Sequence, residues 1–110
     1  MSSQHRELAA GRWQQLSFLE QMANIGSEVE RTISWKAKGR KEYSERAFER
    51  ALELLDLSVA DKKNKSRLKE ILRVREALAD HFVFDNYYGS TPASWQKYFR
   101  FFHNAVRGRF

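Results

Sequence analysis

Phe18, Met22, Ile25, Val29 and Ile33 follow one another at spacings of three and four residues. That spacing places all five on one face of an α-helix. Three later stretches repeat the pattern. Ala47, Phe48, Ala51, Leu52, Leu54, Leu55 and Val59 give a broad apolar face between Tyr43 and Ala60. Leu68, Ile71, Leu72, Leu78, Ala79 and Phe82 form a third stripe, and Trp95, Tyr98, Phe99, Phe102 and Val106 a fourth, rich in aromatics. A strand alternates with period two, so a β-rich fold would contradict all four stripes. One proline and five glycines in 110 residues are also few punctuators for a many-turned β-structure. The expected fold is all-α: one domain, an antiparallel four-helix bundle over residues 17–110. Residues 1–16 are expected as a tail or short helical segment, with Trp13 and Leu16 able to pack as an extra N-terminal turn.

The helix ends carry signals of their own. Ser17-Phe18-Leu19-Glu20 is a capping-box pattern that starts the first helix, and Gly39 is placed to end it. Gly26 lies beside the first stripe and reads as a point of close helix contact. The second helix is expected from Tyr43 to Ala60, with Glu45, Arg46, Glu49 and Arg50 on its wet side. Asp61 to Lys65 reads as a short polar connection, and Ser66 as the cap of a third helix ending near Phe82. Thr91-Pro92 starts the fourth, because proline in the first turn forfeits no helical hydrogen bond.

Charge is unevenly distributed along the chain. Residues 1–60 hold 9 basic and 9 acidic side chains, whereas residues 61–110 hold 11 basic and 5 acidic and carry the whole net +6. In an up-and-down bundle the 61–66 connection and the C-terminus share an end. Lys62, Lys63, Lys65 and Arg67 would there approach Arg107 and Arg109 as a nucleic-acid-binding patch, or simply solubilise a loop. No apolar run approaches the roughly 18 residues that span a bilayer. Met1 to Ala10 carries His5, Arg6 and Glu7 in place of an apolar signal core. A cytoplasmic protein with no membrane partner is expected. The chain has no cysteine, which removes disulfides, thiolate catalysis and cysteine metal sites.

Some residues break the pattern. Arg75 falls near the middle of the third stripe, where a guanidinium needs a carboxylate such as Glu28, Glu53 or Asp56, or must snorkel at the bundle margin. Trp35 falls opposite the first stripe and Phe101 off the centre of the fourth. Both are candidate interface residues, although an N-terminal segment curled over Trp35 would explain it equally. Asn86-Tyr87-Tyr88-Gly89-Ser90-Thr91 is a polar aromatic loop that either joins helices and seals the bundle end or holds a base or peptide.

Catalytic signals are sparse. His5, His81 and His103 have no local metal-ligand spacing, and neither HExxH nor a pair of Glu-x-x-His motifs is present. No catalytic residue, metal site or cofactor is assigned. Arg75 and His81, in Arg75-Glu76-Ala77-Leu78-Ala79-Asp80-His81, resemble the arginine–histidine motif of HEPN domains, helical bundles that include ribonucleases and partners of minimal nucleotidyltransferases. That resemblance implies that the two residues act at a transferred phosphate across a dimer groove. Glu76 stands where that family often has a smaller polar residue. Glu20 to Glu28, Ala47 to Asp56 and Trp95 to Phe99 also resemble an uncharacterised family of small prokaryotic four-helix proteins, which implies architecture and no chemistry. The expected role is a non-catalytic structural or protein-interaction module that self-associates, with a homodimer or another protein as partner. The alternative is a nucleic-acid-binding or HEPN-like protein.

Overall fold

The structure is a computed structural model that describes residues 11–108. It contains four α-helices: α1 (Phe18–Ala37), α2 (Lys41–Ala60), α3 (Leu68–Phe82) and α4 (Pro92–Arg107). A 3-10 helix, Lys62–Arg67, links α2 to α3, and a single helical turn over residues 11–14 precedes α1. Among the described residues there is no strand, and no helix is long and apolar enough to cross a membrane. The all-α antiparallel four-helix bundle expected from the stripes is the observed fold.

Local chemistry sets most boundaries. Ser17 Oγ accepts from the Glu20 amide at 3.1 Å, and the Ser17 amide donates to Glu20 Oε1 at 3.0 Å, completing the capping box. Gly39 takes φ +73° just past α1, a left-handed conformation that glycine adopts without a Cβ penalty. Thr91 and Ser94 form a second capping box around Pro92. Two boundaries differ from expectation. Helix α2 starts at Lys41 rather than Tyr43, since nothing in Lys41-Glu42 opposes helix. Ser66 does not cap α3: it lies inside the 3-10 helix, whose own cap is Asp61.

The helices run up and down. Ser44 Oγ, near the start of α2, donates to the Thr32 carbonyl near the end of α1 at 2.8 Å. Phe18, at the start of α1, meets the ring of Phe102 in the second half of α4 edge-on at 6.0 Å. Phe48 packs on Phe82, so the start of α2 lies beside the end of α3. Helix α1 is therefore central, flanked by α2 and α4, and α3 packs chiefly on α2. Met22, Ile25 and Val29 from α1 meet Phe48, Ala51 and Leu55 from α2, Ile71, Val74 and Leu78 from α3, and Trp95, Phe99 and Phe102 from α4 in one core.

Helix α3 is rotated from the expected orientation. Its buried residues are Ile71, Val74 and Leu78, and Leu72 is 50% exposed. Centring the face on Val74 moves Arg75 to the margin, where its Nε donates to Asp56 Oδ1 at 2.8 Å. The side chains of Arg75 and Asp56 are 39% and 59% exposed, so this is a solvent-screened pair and not an internal one. Exposing one leucine costs less than desolvating a guanidinium, which decides the rotation. Glu28, another candidate partner for Arg75, is instead claimed by Arg31 and Arg50.

Gly26 is a contact point, as its place beside the stripe implies. A Cβ on Gly26 would lie 2.8 Å from Phe99 Cβ, an atom fixed close to the α4 backbone. Gly26→Ala gains about 1 kcal/mol of helix propensity, but the overlap forces α1 and α4 apart at about 1–3 kcal/mol. The expected result is a net loss of stability, read as a lower urea midpoint with an unchanged slope.

Candidate functional site

The basic end of the bundle is built on buried polar groups. Trp13 Nε1 donates to Ser58 Oγ at 2.9 Å, and the Trp13 carbonyl accepts from Gln21 Nε2 at 3.0 Å. Gln21 Nε2 also reaches Asp61 Oδ2 at 2.8 Å. Asn64 Nδ2 donates to Gln21 Oε1 at 2.7 Å and to the Ser58 carbonyl at 2.9 Å. Gln21, Ser58, Asp61 and Asn64 are all buried. Asn64 Oδ1 is buried there without a hydrogen-bond partner. Lys63 ion-pairs with Asp61 and donates to the Gln14 carbonyl at 2.8 Å. Burial alone would raise the Asp61 pKa, but hydrogen bonds from Lys63 and Gln21, with the Lys63 charge, outweigh it and hold the carboxyl below its ordinary value.

This anchoring sorts the basic residues expected to form one patch. Lys63 is consumed inside the network. Arg67 pairs with Glu70 at 3.9 Å and lies over the Phe18 ring at 5.0 Å, so it is tied to the start of α1. Lys62 and Lys65 are exposed and have no ion pair among the described residues. Arg107 is exposed in the last turn of α4. Phe18 touches both Arg67 and Phe102, so the 3-10 helix and the second half of α4 do share an end of the bundle. Arg109 lies outside the described residues.

Arg75 and His81 are not joined by a hydrogen bond or ion pair. Arg75 is held by Asp56, and the His81 ring sits edge-on to Phe82 at 4.6 Å. His81 is half-buried, and its Nδ1 is buried without a hydrogen-bond partner. His103 lines a cleft of about 280 Å³ between α1 and α4 with Glu30, Gln96 and Arg100. Among the described residues no group of three His, Asp or Glu side chains is placed to hold a metal ion.

The two expected interface aromatics differ. Trp35 is half-buried, because Tyr43 of α2 packs on it at 4.9 Å and Lys38 lies over its ring at 5.2 Å. Among the described residues the cover comes from α2; residues 1–10, which the sequence offered as an alternative cover, lie outside them. Phe101 is 65% exposed and lines a groove beside Glu70, Lys97 and Tyr98. Tyr98 donates to Glu70 at 2.9 Å; burial first, then that hydrogen bond and the Glu70 charge, push its phenol well above the ordinary value.

The 86–91 loop is tightly held. Asn86 has φ +53°, accepts from the Ser90 amide through Oδ1 and donates to the Ser90 carbonyl through Nδ2. Asp80 accepts from the Tyr87 and Tyr88 amides at 2.7 and 3.1 Å. Tyr88 donates to Glu76 at 2.8 Å, a bond that raises the phenol pKa. Trp95 Nε1 donates to Ser90 Oγ, so it is Trp95, more than the tyrosines, that seals this end. Tyr87 and Tyr88 remain 88% and 57% exposed.

Beside Tyr88, a groove of about 620 Å³ runs along the outer face of α3, lined by Lys69, Leu72, Arg73, Glu76 and Ala77. Sequence reasoning missed it. The signal was present in Leu72, whose place in the stripe is incompatible with a face centred on Val74.

Compared with known proteins, the chain matches no family model, no curated protein and no solved structure. What the structure supports of the two resemblances is the compact four-helix bundle.

Asp61 gives a pH-dependent test of the network. Its folded pKa is depressed, so its contribution is present above the unfolded value and is lost as pH falls through the folded one. Asp61→Asn is expected to lower stability by about 1–3 kcal/mol at neutral pH. The gap from wild type should narrow below about pH 4, as read from urea unfolding across pH.

Proposed function

We propose that this chain is a non-catalytic protein-interaction module that presents surface aromatics from a rigid bundle and self-associates through them. The observation that carries the reading is the exposure of large apolar side chains, above all Phe101 at 65%. Leu72, Val83, Phe84, Tyr87, Tyr88 and Phe101 belong to α3, α4 and the segment between them, whereas α1 and α2 contribute Tyr43 alone among the described residues. Large apolar side chains left exposed on a folded domain suit association with a partner. Phe101 is the anchor of choice, because a large exposed aromatic beside a groove suits burial in a partner. Trp35 is the lesser candidate, since Tyr43 already occupies its face. Sedimentation equilibrium over a concentration series is expected to give masses above the 13.0 kDa of one chain. Phe101→Ser should return the monomer, and a monomer at every concentration would count against self-association.

A second reading, nucleic-acid binding, is favoured by Lys62, Lys65 and Arg107, cations without ion pairs among the described residues, toward one end of the bundle. It predicts binding of labelled RNA or DNA that weakens steeply with salt, because phosphate contacts release counterions. Lys62→Glu with Lys65→Glu should remove at least about tenfold in affinity at low salt. In the HEPN-like form of this reading, bound RNA would be cleaved, and His81→Ala would abolish cleavage without abolishing binding. Salt-independent or absent binding in a filter assay removes the reading.

A further inference from the structure

Helix α3 carries a second feature that self-association through Phe101 does not use. At 100° per residue, Lys69, Arg73 and Ala77 follow one another down one side of its outer face, and Leu72 and Glu76 down the other. Tyr88 stands over the Leu72–Glu76 side and completes the groove. The groove therefore sets two cations between Leu72 and Ala77, with an aromatic wall on the Leu72 side. Lys69 and Arg73 have no ion pair among the described residues, while the groove's carboxylate, Glu76, accepts the Tyr88 hydroxyl. The wall is fixed in advance, because Asp80 holds the Tyr87 and Tyr88 amides and Asn86 braces Ser90. A wall already in place loses little conformational entropy when something packs on it.

We propose that this groove docks an acidic amphipathic helix from a partner protein. The proposal rests on the reading of the chain as an interaction module, and it names the chemistry of one partner. Charge complementarity selects the occupant. Lys69 and Arg73 stand one turn apart, about 6 Å, which is also the separation of two glutamates four residues apart on a facing helix. Apolar residues on the same face of that helix would cover Leu72 and Ala77 and pack against Tyr88. From Lys69 to Ala77 the groove is about 12 Å long, a little over two helical turns. A second copy of the chain docked symmetrically would set Lys69 and Arg73 against their own equivalents, a like-charge contact that disfavours it. RNA would find two cations here, but it would leave Leu72 and Ala77 without a complementary surface.

The test uses the full chain and a fluorescein-labelled model helix of about 16 residues, with glutamates at i and i+4 and leucines on the same face. Matching probes carry glutamine for glutamate, or are single-stranded RNA. Fluorescence anisotropy is expected to show saturable binding of the acidic helix, with the glutamine probe at least about tenfold weaker. Lys69→Glu with Arg73→Glu should weaken the acidic probe at least about tenfold, and Leu72→Ser about fivefold or more. Lys38→Glu with Lys41→Glu, which makes the same change of charge where α1 ends and α2 begins, at the other end of the bundle from Lys69, should change it less than about twofold. Circular dichroism verifies folding of each variant, and Lys69→Gln with Arg73→Gln serves if the glutamates unfold the chain. Equal losses from the two charge-reversed pairs, equal binding of the glutamine probe, or RNA displacing the acidic helix at lower concentration would each overturn the proposal. So would the absence of saturable binding. A chain that self-associates through Phe101 yet ignores the acidic helix loses this site and keeps the interaction-module reading. A chain that stays monomeric yet binds the helix at Lys69 and Arg73 loses self-association and keeps the site.

Discussion

The hydrogen bonds that Gln21 makes to Trp13, Asp61 and Asn64 fasten separate pieces of chain at one point. The N-terminal turn, the start of α1, the end of α2 and the 3-10 helix all meet there. Apolar packing alone tolerates sliding along a helix, because one leucine can replace another against a smooth face. An amide and a carboxylate buried together accept only one register, since a shifted partner leaves a desolvated group unpaired. Asn64 Oδ1 already lacks a partner, so this cluster contributes alignment more than net stability. The alignment matters downstream: Asp61 sets where the 3-10 helix begins, and that helix sets where α3 departs.

Helix α1 is used on two sides. Against α2 it presents Glu28, paired with Arg50, and Thr32, whose carbonyl accepts from Ser44. Against α4 it presents Gly26, where the ring of Phe99 occupies the space a side chain would take. Helix α3 is attached chiefly to α2 and shares with α4 the bond from Tyr98 to Glu70. A helix attached mainly along one side keeps the rest of its circumference for other contacts, which is why the groove lies on α3 and not on α1.

The architecture was legible in the sequence wherever the signal was local. Ser17 with Glu20, Gly39, and Thr91 with Pro92 name helix ends through contacts within a few residues, and the structure places the ends there. The stripe of α4 was read correctly because its face contains no competing charge, and that of α1 at Met22, Ile25 and Val29, although α1 also buries Glu28 against α2. In α3, Leu72 and Arg75 flank the true centre at Val74, and periodicity alone cannot weigh an exposed leucine against a buried arginine. The partners of Arg75 and Glu28 and the cover on Trp35 depend on residues about 8 to 22 positions away in sequence. Gln21, Asp61 and Asn64 read as ordinary helix and loop polars, because only the tertiary fold brings residues 40 or more positions apart within bonding distance. Of the site residues, Phe101 was visible as an aromatic off the centre of its stripe and Lys62 and Lys65 as part of a basic run, whereas the groove at Lys69, Leu72, Arg73 and Tyr88 required knowing which way α3 turns.

The uneven charge has a consequence before any contact forms. Among the described residues, 11–60 hold eight basic and eight acidic side chains and 61–108 ten basic and five acidic, so the excess positive charge sits on the 3-10 helix, α3 and α4. At 0.1 M salt a charge is felt over about 10 Å, a distance comparable to the width of one helix. Any polyanion brought near would therefore be drawn toward the α3–α4 half. The excess charge and the exposed Leu72, Tyr87, Tyr88 and Phe101 belong to the same half of the chain, so electrostatic attraction and apolar contact would act on neighbouring elements and not on opposite ones.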